Sequence, residues 1–260
     1  MTVIAVDKDR CVRDGACAAV CSVGYLTSDA DGLPQETADA RCIECGHCVA
    51  VCPNDALRHA NLNIDEFTPA SGEVPAAAAM DSFLRNRRSV REFQDRPVPR
   101  QTLEDLLDVA RYAPTGYNAQ KAHWTVAPDR ATVHSWSAEA VNGMVKMGAG
   151  GWLLDRWNQG HDWVLWGAPA ALVVSAPKDH IWAKQDCAIA LTFLQLAAEA
   201  RGLGVCWAGI LTMVAGVHAP LRELLSVPNG HIVCGGLFLG ERTYTYQRVP
   251  PRKPLSAHWM

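Results

Sequence analysis

Apolar and polar positions over the last two thirds of the chain alternate between helical and strand spacing. Apolar residues three and four positions apart predict a helix over 102–110, and a longer apolar stretch predicts a buried helix over 185–201. Apolar runs predict strands at 122–127, 169–175 and 231–239. Because helices and strands follow one another without a fixed repeat, this pattern predicts an α+β fold.

The ends of the predicted helices carry recognisable start and stop residues. Thr102-Leu-Glu-Asp105 resembles a capping box, in which a threonine hydroxyl accepts a hydrogen bond from the first helical turn. Pro114 ends that helix, and Gly202 closes the helix over 185–201. A further short helix is expected over 221–225.

The front of the chain shows an internal repeat. CVRDGACAAVC, from Cys11 to Cys21, aligns with CIECGHCVAVC, from Cys42 to Cys52, at an offset of 31 residues. A repeat of this kind indicates two similar halves related by a pseudo-twofold. Residues 63–80 hold two prolines, a glycine and a run of four alanines without clear periodicity, so they predict a linker. We therefore predict a first domain over 1–62 and a second over 81–260.

Composition and charge narrow the possible functions. The 260 residues are 49% hydrophobic with a net charge of −3, so a sizeable core is possible and no nucleic acid or acidic membrane surface is required. The longest uncharged run, 202–217, is shorter than the roughly 20 residues of a membrane span. The first residues lack the pattern of a signal peptide. We expect a cytoplasmic protein that binds neither nucleic acid nor membrane.

Seven of the ten cysteines lie between Cys11 and Cys52, and a cytoplasmic chain rarely clusters cysteines to form disulfides. The second half of the repeat reads C-x2-C-x2-C-x3-C-P, the spacing with which bacterial ferredoxins bind cubane 4Fe–4S clusters. Three thiolates cap one cluster, and the fourth reaches the other. Zinc is the alternative, but its ligands come as separated C-x2-C pairs.

This spacing assigns ligands to two clusters. Cluster two takes Cys42, Cys45, Cys48 and Cys21. Cluster one takes Cys11, Cys17 and Cys52, with Asp14 where a fourth cysteine is expected. Asp14 either binds iron through its carboxylate and completes a 4Fe–4S cluster, or it is a turn residue and cluster one is 3Fe–4S. In both cases the two clusters should differ in reduction potential.

Four segments of the second domain form a recognisable set: Arg87-Arg88-Ser89-Val90-Arg91-Glu92-Phe93, Ala113-Pro114-Thr115-Gly116-Tyr117-Asn118-Ala119-Gln120, Gly202-Leu-Gly-Val-Cys-Trp-Ala-Gly209 and Pro250-Pro251-Arg252-Lys253-Pro254-Leu255. Together they resemble the nitroreductase family of FMN flavoproteins. The sequence departs from the family after Gln120, where Pro-Trp is usual and Lys121-Ala-His-Trp124 stands here.

The resemblance implies a bound FMN and the residues that hold it. Its phosphate and ribityl chain would be bound by Arg87, Arg88, Ser89, Arg91 and Arg252, since guanidinium groups and hydroxyls suit a phosphate. The isoalloxazine ring would be contacted by Pro114, Thr115 and Asn118 of the partner subunit and, near N5, by the backbone of Gly209 and Ile210. Without the other motifs, the arginines would instead indicate a solvated basic helix end. The family pocket lies at a dimer interface, so we expect a homodimer with two flavins.

Several remaining residues allow two interpretations. Trp152, Trp157, Trp163 and Trp166 form either an aromatic pocket for a planar substrate or a packed core or interface. Cys187, Cys206 and Cys234 are expected to be small buried hydrophobic residues. His47 and His161 are expected at the surface.

Each cluster carries one electron, whereas a flavin accepts one or two. We therefore predict an oxidoreductase whose clusters pass electrons to FMN for reduction of a small organic acceptor, such as a nitroaromatic, a quinone or an activated alkene. No acid or nucleophile stands out, so no catalytic side chain is predicted beyond the flavin. The external donor is a ferredoxin or NAD(P)H. In one alternative NAD(P)H reduces the flavin directly while the clusters serve another partner; in the other, the protein is a non-catalytic electron-transfer or redox-sensing flavoprotein.

Overall fold

A computed structural model describes residues 2–70 and 72–260; Met1, in the predicted first domain, and Ser71, in the predicted linker, lie outside the described residues. The chain divides into two compact units. The first contains the residues up to Val74 together with Tyr117–Ala119. The second contains Pro75–Gly116 and Gln120–Met260.

The first unit contains two short antiparallel strand pairs and two single-turn helices. Its elements are β1 (Ile4–Val6), α1 (Ala16–Ala19), β2 (Leu26–Ser28), β3 (Pro34–Glu36), α2 (His47–Ala50), β4 (Leu57–His59) and a 3₁₀ helix (Ile64–Glu66). Strand β1 pairs antiparallel with β4, and β2 pairs antiparallel with β3. A small core of buried side chains holds them together: Ile4, Cys17, Tyr25, Leu26, Val49 and Leu57.

The sequence repeat is present in the backbone of the first unit. Helices α1 and α2 follow Gly15 and Gly46, whose φ angles are 72° and 73°. Both angles lie in the left-handed region, which glycine adopts without a steric penalty. Two residues earlier, Arg13 and Glu44 also match, with φ of 59° and 54°. Residues 31 positions apart therefore adopt the same conformation, as the repeat predicts.

The second unit is built on a four-stranded sheet. Its elements are α3 (Ala77–Asn86), α4 (Arg100–Ala110), β5 (His123–Ala127), α5 (Arg130–Lys146), α6 (Gly151–Asn158), β6 (Ala170–Pro177), α7 (Ala183–Ala200), β7 (Leu203–Trp207), α8 (Gly209–Ala215), α9 (Ala219–Leu224) and β8 (His231–Glu241). A 3₁₀ helix at Gly116–Asn118 lies where the sequence passes between the units. The strand order is β5-β6-β8-β7, and every pair is antiparallel.

Strand β6 shows why this sheet reads as apolar in the sequence. Ala171 and Val173 belong to one core, which includes α5 and α8, whereas Leu172 and Val174 belong to the other, which includes α4 and α7. A strand that is buried on both faces needs apolar residues at every position, not at alternate ones. Helices therefore cover both faces of the sheet, and the α+β class is confirmed.

The predicted strands and helices named above form, with boundaries within two residues of those expected. The capping box at Thr102 is wrong, because α4 begins at Arg100 and Thr102 lies inside its first turn. Pro99 precedes the helix with φ −57°, and proline is favoured at a helix start because it has no N–H to leave unpaired.

The predicted linker 63–80 is partly structured. Helix α3 starts at Ala77 within it, since a run of alanines favours helix. Within residues 2–70 and 72–260, no helix combines the length and apolar character needed to cross a membrane.

Gly204 allows the segment 87–91 to lie directly beside β7. The Val90 N–H donates to the Val205 carbonyl at 3.1 Å, and Ser89 forms a parallel bridge with Val205. A Cβ on Gly204 would lie 2.6 Å from Val90 Cγ1 and 2.8 Å from its Cβ. Because Val90 is β-branched and buried, it cannot rotate out of the way.

We therefore predict that Gly204→Ala destabilises the second unit by about 1–3 kcal/mol through overpacking. Denaturant unfolding followed by far-ultraviolet circular dichroism measures this loss. The control is Gly151→Ala, where an added Cβ meets no atom within 4 Å and the helix should gain slightly. Equal stabilities for the two variants would contradict the close approach.

Candidate functional site

The clustered cysteines line two cavities in the first unit. One cavity is lined by Cys21, Cys42, Cys45 and Cys48 among other residues. The second is lined by Cys11, Asp14, Cys17 and Cys52 among others. Each cavity draws three candidate ligands from one half of the repeat and the fourth from the other half. The structure thus brings together the residues that the spacing assigned to each cluster, while iron ligation itself stays a prediction.

Backbone N–H groups point at several of these sulfurs. Cys42 Sγ accepts from Glu44 at 3.3 Å, Cys21 Sγ from Leu26 at 3.4 Å, and Cys52 Sγ from Ala56 at 3.2 Å. Donors of this kind stabilise the negative charge that a cluster places on its sulfur ligands. The loops therefore fit an iron–sulfur cluster in their electrostatics as well as in their spacing.

Burial raises the pKa of several of the thiols. The effect raises the pKa of Cys48 to about 11, and it also raises the pKa values of Cys17 and Cys42, because a buried thiolate loses its hydration. Neighbouring cysteines add to the rise at Cys48 and Cys42. A bound cation reverses this balance and deprotonates a coordinating thiol. These buried or partly buried thiols therefore fit metal ligands.

In the described part of the chain, no three His, Cys, Asp or Glu side chains are grouped so that they could hold one metal ion. Four zinc ligands have to converge in this way, whereas the thiolates around a cubane bind different irons.

Asp14 has an observed role in the local turn. Its Oδ1 accepts a hydrogen bond from the Ala16 N–H at 3.1 Å, which is the usual turn contact of an aspartate. The residue also lines the cavity with Cys11 and Cys17. One carboxylate oxygen is therefore used in the turn, and the other stays the candidate iron ligand.

In the second unit, side chains of the segment 87–91 influence the thiol of Cys206. Burial raises the pKa of Cys206, while the charge of Arg91, a hydrogen bond with Ser89 and the charge of Arg87 oppose that rise. The guanidinium groups and the hydroxyl of this segment are groups that suit a phosphate.

Arg88 lies between them in sequence and has unsatisfied donors. Its Nη1 donates to the Arg87 carbonyl at 2.6 Å, but its buried Nε and Nη2 have no partner among the described residues. Buried guanidinium nitrogens without an acceptor are costly, so an anion beside Arg88 would satisfy these two donors. The second unit thus fits a phosphorylated cofactor such as FMN on an observation of its own.

The segment 113–116 is fixed by an aspartate that the sequence analysis missed. Asp186 Oδ1 accepts from the Gly116 N–H at 3.0 Å, and its Oδ2 lies 2.7 Å from His180 Nε2. A Cβ on Gly116 would collide with Trp182. The only sequence signal was a charged residue near the start of an apolar helix. Thr115 Oγ1 accepts from the Gln120 N–H at 3.2 Å, which holds the other side of this loop.

Asn118 is grouped with the first unit. Its Nδ2 donates to the carbonyls of Ile43 and Glu44, both at 3.1 Å. Its expected contact with the isoalloxazine ring stays a prediction, as does that of Pro114.

Gly209 and Ile210 form the first turn of α8, where backbone N–H groups have no partner within the helix. Just before this turn, the Trp207 side chain is held in place because its Nε1 donates to Gln195 Oε1 at 3.1 Å. Arg252 is exposed in the tail 243–260, which contains no helix or strand. The structure therefore does not show Arg252 closing the site over 87–91.

The tryptophans form a layered group. Trp163 stacks on Trp166 at a centroid distance of 5.7 Å and an interplanar angle of 10°, and Trp152 lies 6.0 Å from Trp163. The Arg91 guanidinium lies over the Trp166 ring at 5.7 Å. Trp157, Trp163 and Trp166 pack against the core, as the packing interpretation expects, whereas Trp152 is half exposed.

One carboxylate shapes the loop that carries these rings. Asp162 Oδ1 accepts from the N–H groups of Val164 at 2.8 Å and Leu165 at 3.0 Å. Its Oδ2 accepts from Ser137 Oγ at 2.8 Å and from the Gly167 N–H at 3.2 Å. Trp166 itself is held at φ 57°, a strained value for a bulky residue. Asp162 thus places Trp166 beneath Arg91.

Comparison with known proteins separates the two units by family. The Nitroreductase family profile matches residues 84–240, more than half of the chain, and the 4Fe-4S dicluster domain profile matches residues 3–53. An Archaeoglobus fulgidus protein with the provisional name NADH dehydrogenase/NAD(P)H nitroreductase is 31% identical over 165 residues, which cover 61% of this chain and 82% of that one.

One further relative is named for the compound that it reduces, and one similar solved structure contains FMN. The 4-nitrobenzoate reductase of a Nocardioides species is 25% identical over 227 residues, covering 71% of this chain and 90% of that one. The crystal structure of a Bacteroides fragilis nitroreductase with bound FMN aligns with a TM-score of 0.58 and 25% identity, over 68% of this chain and 94% of that one.

We predict that Asp162→Ala lowers the thermal unfolding temperature and reduces the near-ultraviolet circular dichroism of the tryptophans. The substitution leaves three backbone N–H groups and a hydroxyl without their acceptor. Each buried donor that loses its acceptor lowers the free energy of unfolding by about 1–3 kcal/mol. Asp155→Ala, at an exposed position of α6, is the control and should change neither signal. An Asp162→Ala protein that matches this control would show that the loop does not depend on the carboxylate.

Proposed function

We propose that this protein is an oxidoreductase that passes electrons through two iron–sulfur clusters to FMN and on to a small organic acceptor. The chain belongs to the nitroreductase family and also carries a 4Fe–4S dicluster ferredoxin domain. The observation that carries the proposal is the pair of cysteine-lined cavities in a chain whose other unit has the nitroreductase fold. A nitroreductase unit alone would have no use for two such cavities.

The proposed ligands follow the two cavities. One cluster is held by Cys21, Cys42, Cys45 and Cys48, and the other by Cys11, Asp14, Cys17 and Cys52. In the cluster held by Cys11, Cys17 and Cys52, the proposed ligand of the fourth iron is the Asp14 oxygen that does not accept from the Ala16 N–H. A carboxylate is a harder ligand than a thiolate, so this cluster differs in potential from its neighbour.

The proposed flavin site lies in the second unit. Bound FMN would supply the step from single electrons to the electron pair that reduces an organic acceptor. Arg87, Ser89 and Arg91 bind its phosphate and ribityl chain, and Arg88 adds donors that no described residue satisfies. The ring is placed by Pro114 and Thr115, whose loop Asp186 anchors, and by the first-turn amides of Gly209 and Ile210.

The proposed acceptor class follows from the relatives. One of them is named for the reduction of 4-nitrobenzoate, and a nitroaromatic ring is a planar group that stacks on a flavin. Quinones and activated alkenes remain within the proposed class. No protein side chain is assigned as an acid or a nucleophile, so the chain's contribution is to bind and orient the substrate.

A homodimer is proposed from the C-terminal tail. Residues 243–260 are exposed throughout, including Tyr244 at 69%, Leu255 at 88% and Trp259 at 90%. Large apolar side chains on an extended tail gain stability when they are buried against another surface. A second copy of the chain is the partner that the flavin pocket of this family uses.

The donor is tested by following flavin reduction in anaerobic stopped-flow experiments. Reduced ferredoxin should reduce the flavin of the native protein at least tenfold faster than that of Cys45→Ser, because the variant loses a ligand of one cluster. Cys234→Ser removes a thiol of the second unit and should behave as the native protein.

The same experiment separates the alternatives. If NADPH reduces the flavin equally fast in the native protein and in Cys45→Ser, the clusters are not on the path from NADPH to the flavin. If the flavin is reduced but transfers electrons to no nitroaromatic, quinone or activated alkene, the protein is an electron-transfer or sensing flavoprotein and not a reductase of small molecules.

Asp14 is tested by EPR of the oxidised protein prepared without oxygen. The native protein should show no 3Fe–4S signal, whereas Asp14→Ala should show one, because the fourth iron of that cluster loses its ligand. Asp14→Cys should keep the full cluster at a changed potential, since the ligand type sets the potential. Asp9→Ala, an exposed aspartate outside the cavity lining, is the control. A 3Fe–4S signal in the native protein, unchanged in Asp14→Ala, would limit Asp14 to its turn.

A further inference from the structure

A buried histidine contacts one candidate ligand of the first unit. His59 is the last residue of β4 and is 5% exposed. Its Nε2 lies 3.4 Å from Cys42 Sγ, and its Nδ1 lies 3.1 Å from the backbone nitrogen of Asn61. Both ring nitrogens are therefore engaged, on opposite sides of the ring.

The contact with Asn61 fixes which ring nitrogen carries the proton. A backbone N–H can only donate, so His59 Nδ1 has to be the acceptor and carries no hydrogen. In the neutral ring with a bare Nδ1, the hydrogen is on Nε2. The ring consequently donates an N–H···S hydrogen bond to Cys42 Sγ, in addition to the one from the Glu44 backbone.

The other half of the repeat has no such donor. The position that corresponds to His59, 31 residues earlier, is Ser28 at the end of β2. Among the described residues, no side chain donates a hydrogen bond to Cys11, the counterpart of Cys42. The backbone of the two halves matches, so this side-chain difference is an asymmetry between two otherwise similar sites.

We propose that His59 raises the reduction potential of the cluster held by Cys42 by donating this hydrogen bond to the ligand sulfur. Reduction adds negative charge to a cluster and its sulfurs, and a donor stabilises the reduced form more than the oxidised form. The donor is buried, where the surroundings screen it poorly. The inference rests on the proposed ligation by Cys42. It implies that an electron shared between the two clusters is found mainly on the one held by Cys42.

The test is a potentiometric titration of the full chain with both clusters loaded, followed by EPR. His59→Phe keeps a flat ring of similar size but removes the donor. The equilibrium constant for reducing this cluster should fall about tenfold, which is about 59 mV for one electron. The potential of the other cluster should stay where it is.

His47→Phe is the matched control. It is the same substitution at a histidine that lines the same cavity but is exposed and adjoins Cys48 in sequence. It should leave both potentials unchanged. An unshifted potential in His59→Phe, or an equal shift in both variants, overturns the proposal.

A second measurement keeps the proposal testable if His59→Phe does not assemble its clusters. In native protein grown with ¹⁵N-labelled histidine, pulsed EPR of the reduced cluster should show a ¹⁵N coupling transmitted through the N–H···S bond. The coupling should persist in labelled His47→Phe, and its absence from the native protein overturns the proposal. Cys42→Ser separates the two levels of the argument. If it leaves the EPR signal of this cluster unchanged, the ligand assignment is wrong; if it alters the signal while His59→Phe shifts nothing, only the role of His59 is wrong.

Discussion

The burial of cysteine thiols is the constraint on which the first unit depends. Its core cluster contains six buried side chains, one of them Cys17, and burial raises the pKa of Cys48 to about 11. A unit with so small a core gains little from hydrophobic contacts alone. Because each cavity draws ligands from both halves of the repeat, a bound cluster would join the halves, and metal binding would become part of the folding free energy.

The second unit reaches its rigidity by a different route. Strand β6 is buried on both faces, and the segments that are proposed to hold FMN are fastened to this frame by their own polar contacts. Asp186 holds the loop at Gly116, and Asp162 holds the loop at Trp166, whose ring lies against Arg91. A binding site whose side chains are fixed before the ligand arrives loses less conformational entropy on binding. The arrangement therefore favours a cofactor that stays bound.

Sequence patterns identified the features whose partners lie close in the chain or recur at a fixed period. The cysteine spacing, the offset of 31 residues and the apolar runs are of this kind. The start of α4 was missed because Pro99 outweighs a capping pattern three residues later. Asp186 and His59 were missed because each contacts a group distant in sequence: Asp186 a backbone group 70 positions away, and His59 a thiol 17 positions away. Asp162 likewise contacts Ser137, 25 positions away, besides the N–H groups of its own loop. Periodicity carries no information about such pairs, which only the folded chain brings together.

Asn118 makes contacts in this chain that the family motif does not predict. The resemblance transfers the segment 113–120 as a whole, with Asn118 as a contact of the flavin ring. The structure divides that segment, since Gly116 belongs to the second unit and Asn118 to the first. Both hydrogens of the Asn118 amide are used by the carbonyls of Ile43 and Glu44. An asparagine amide has two donor hydrogens and one acceptor oxygen. The Asn118 side chain is therefore held by the backbone between Cys42 and Cys45 within the first unit, and only its acceptor oxygen is left for another partner.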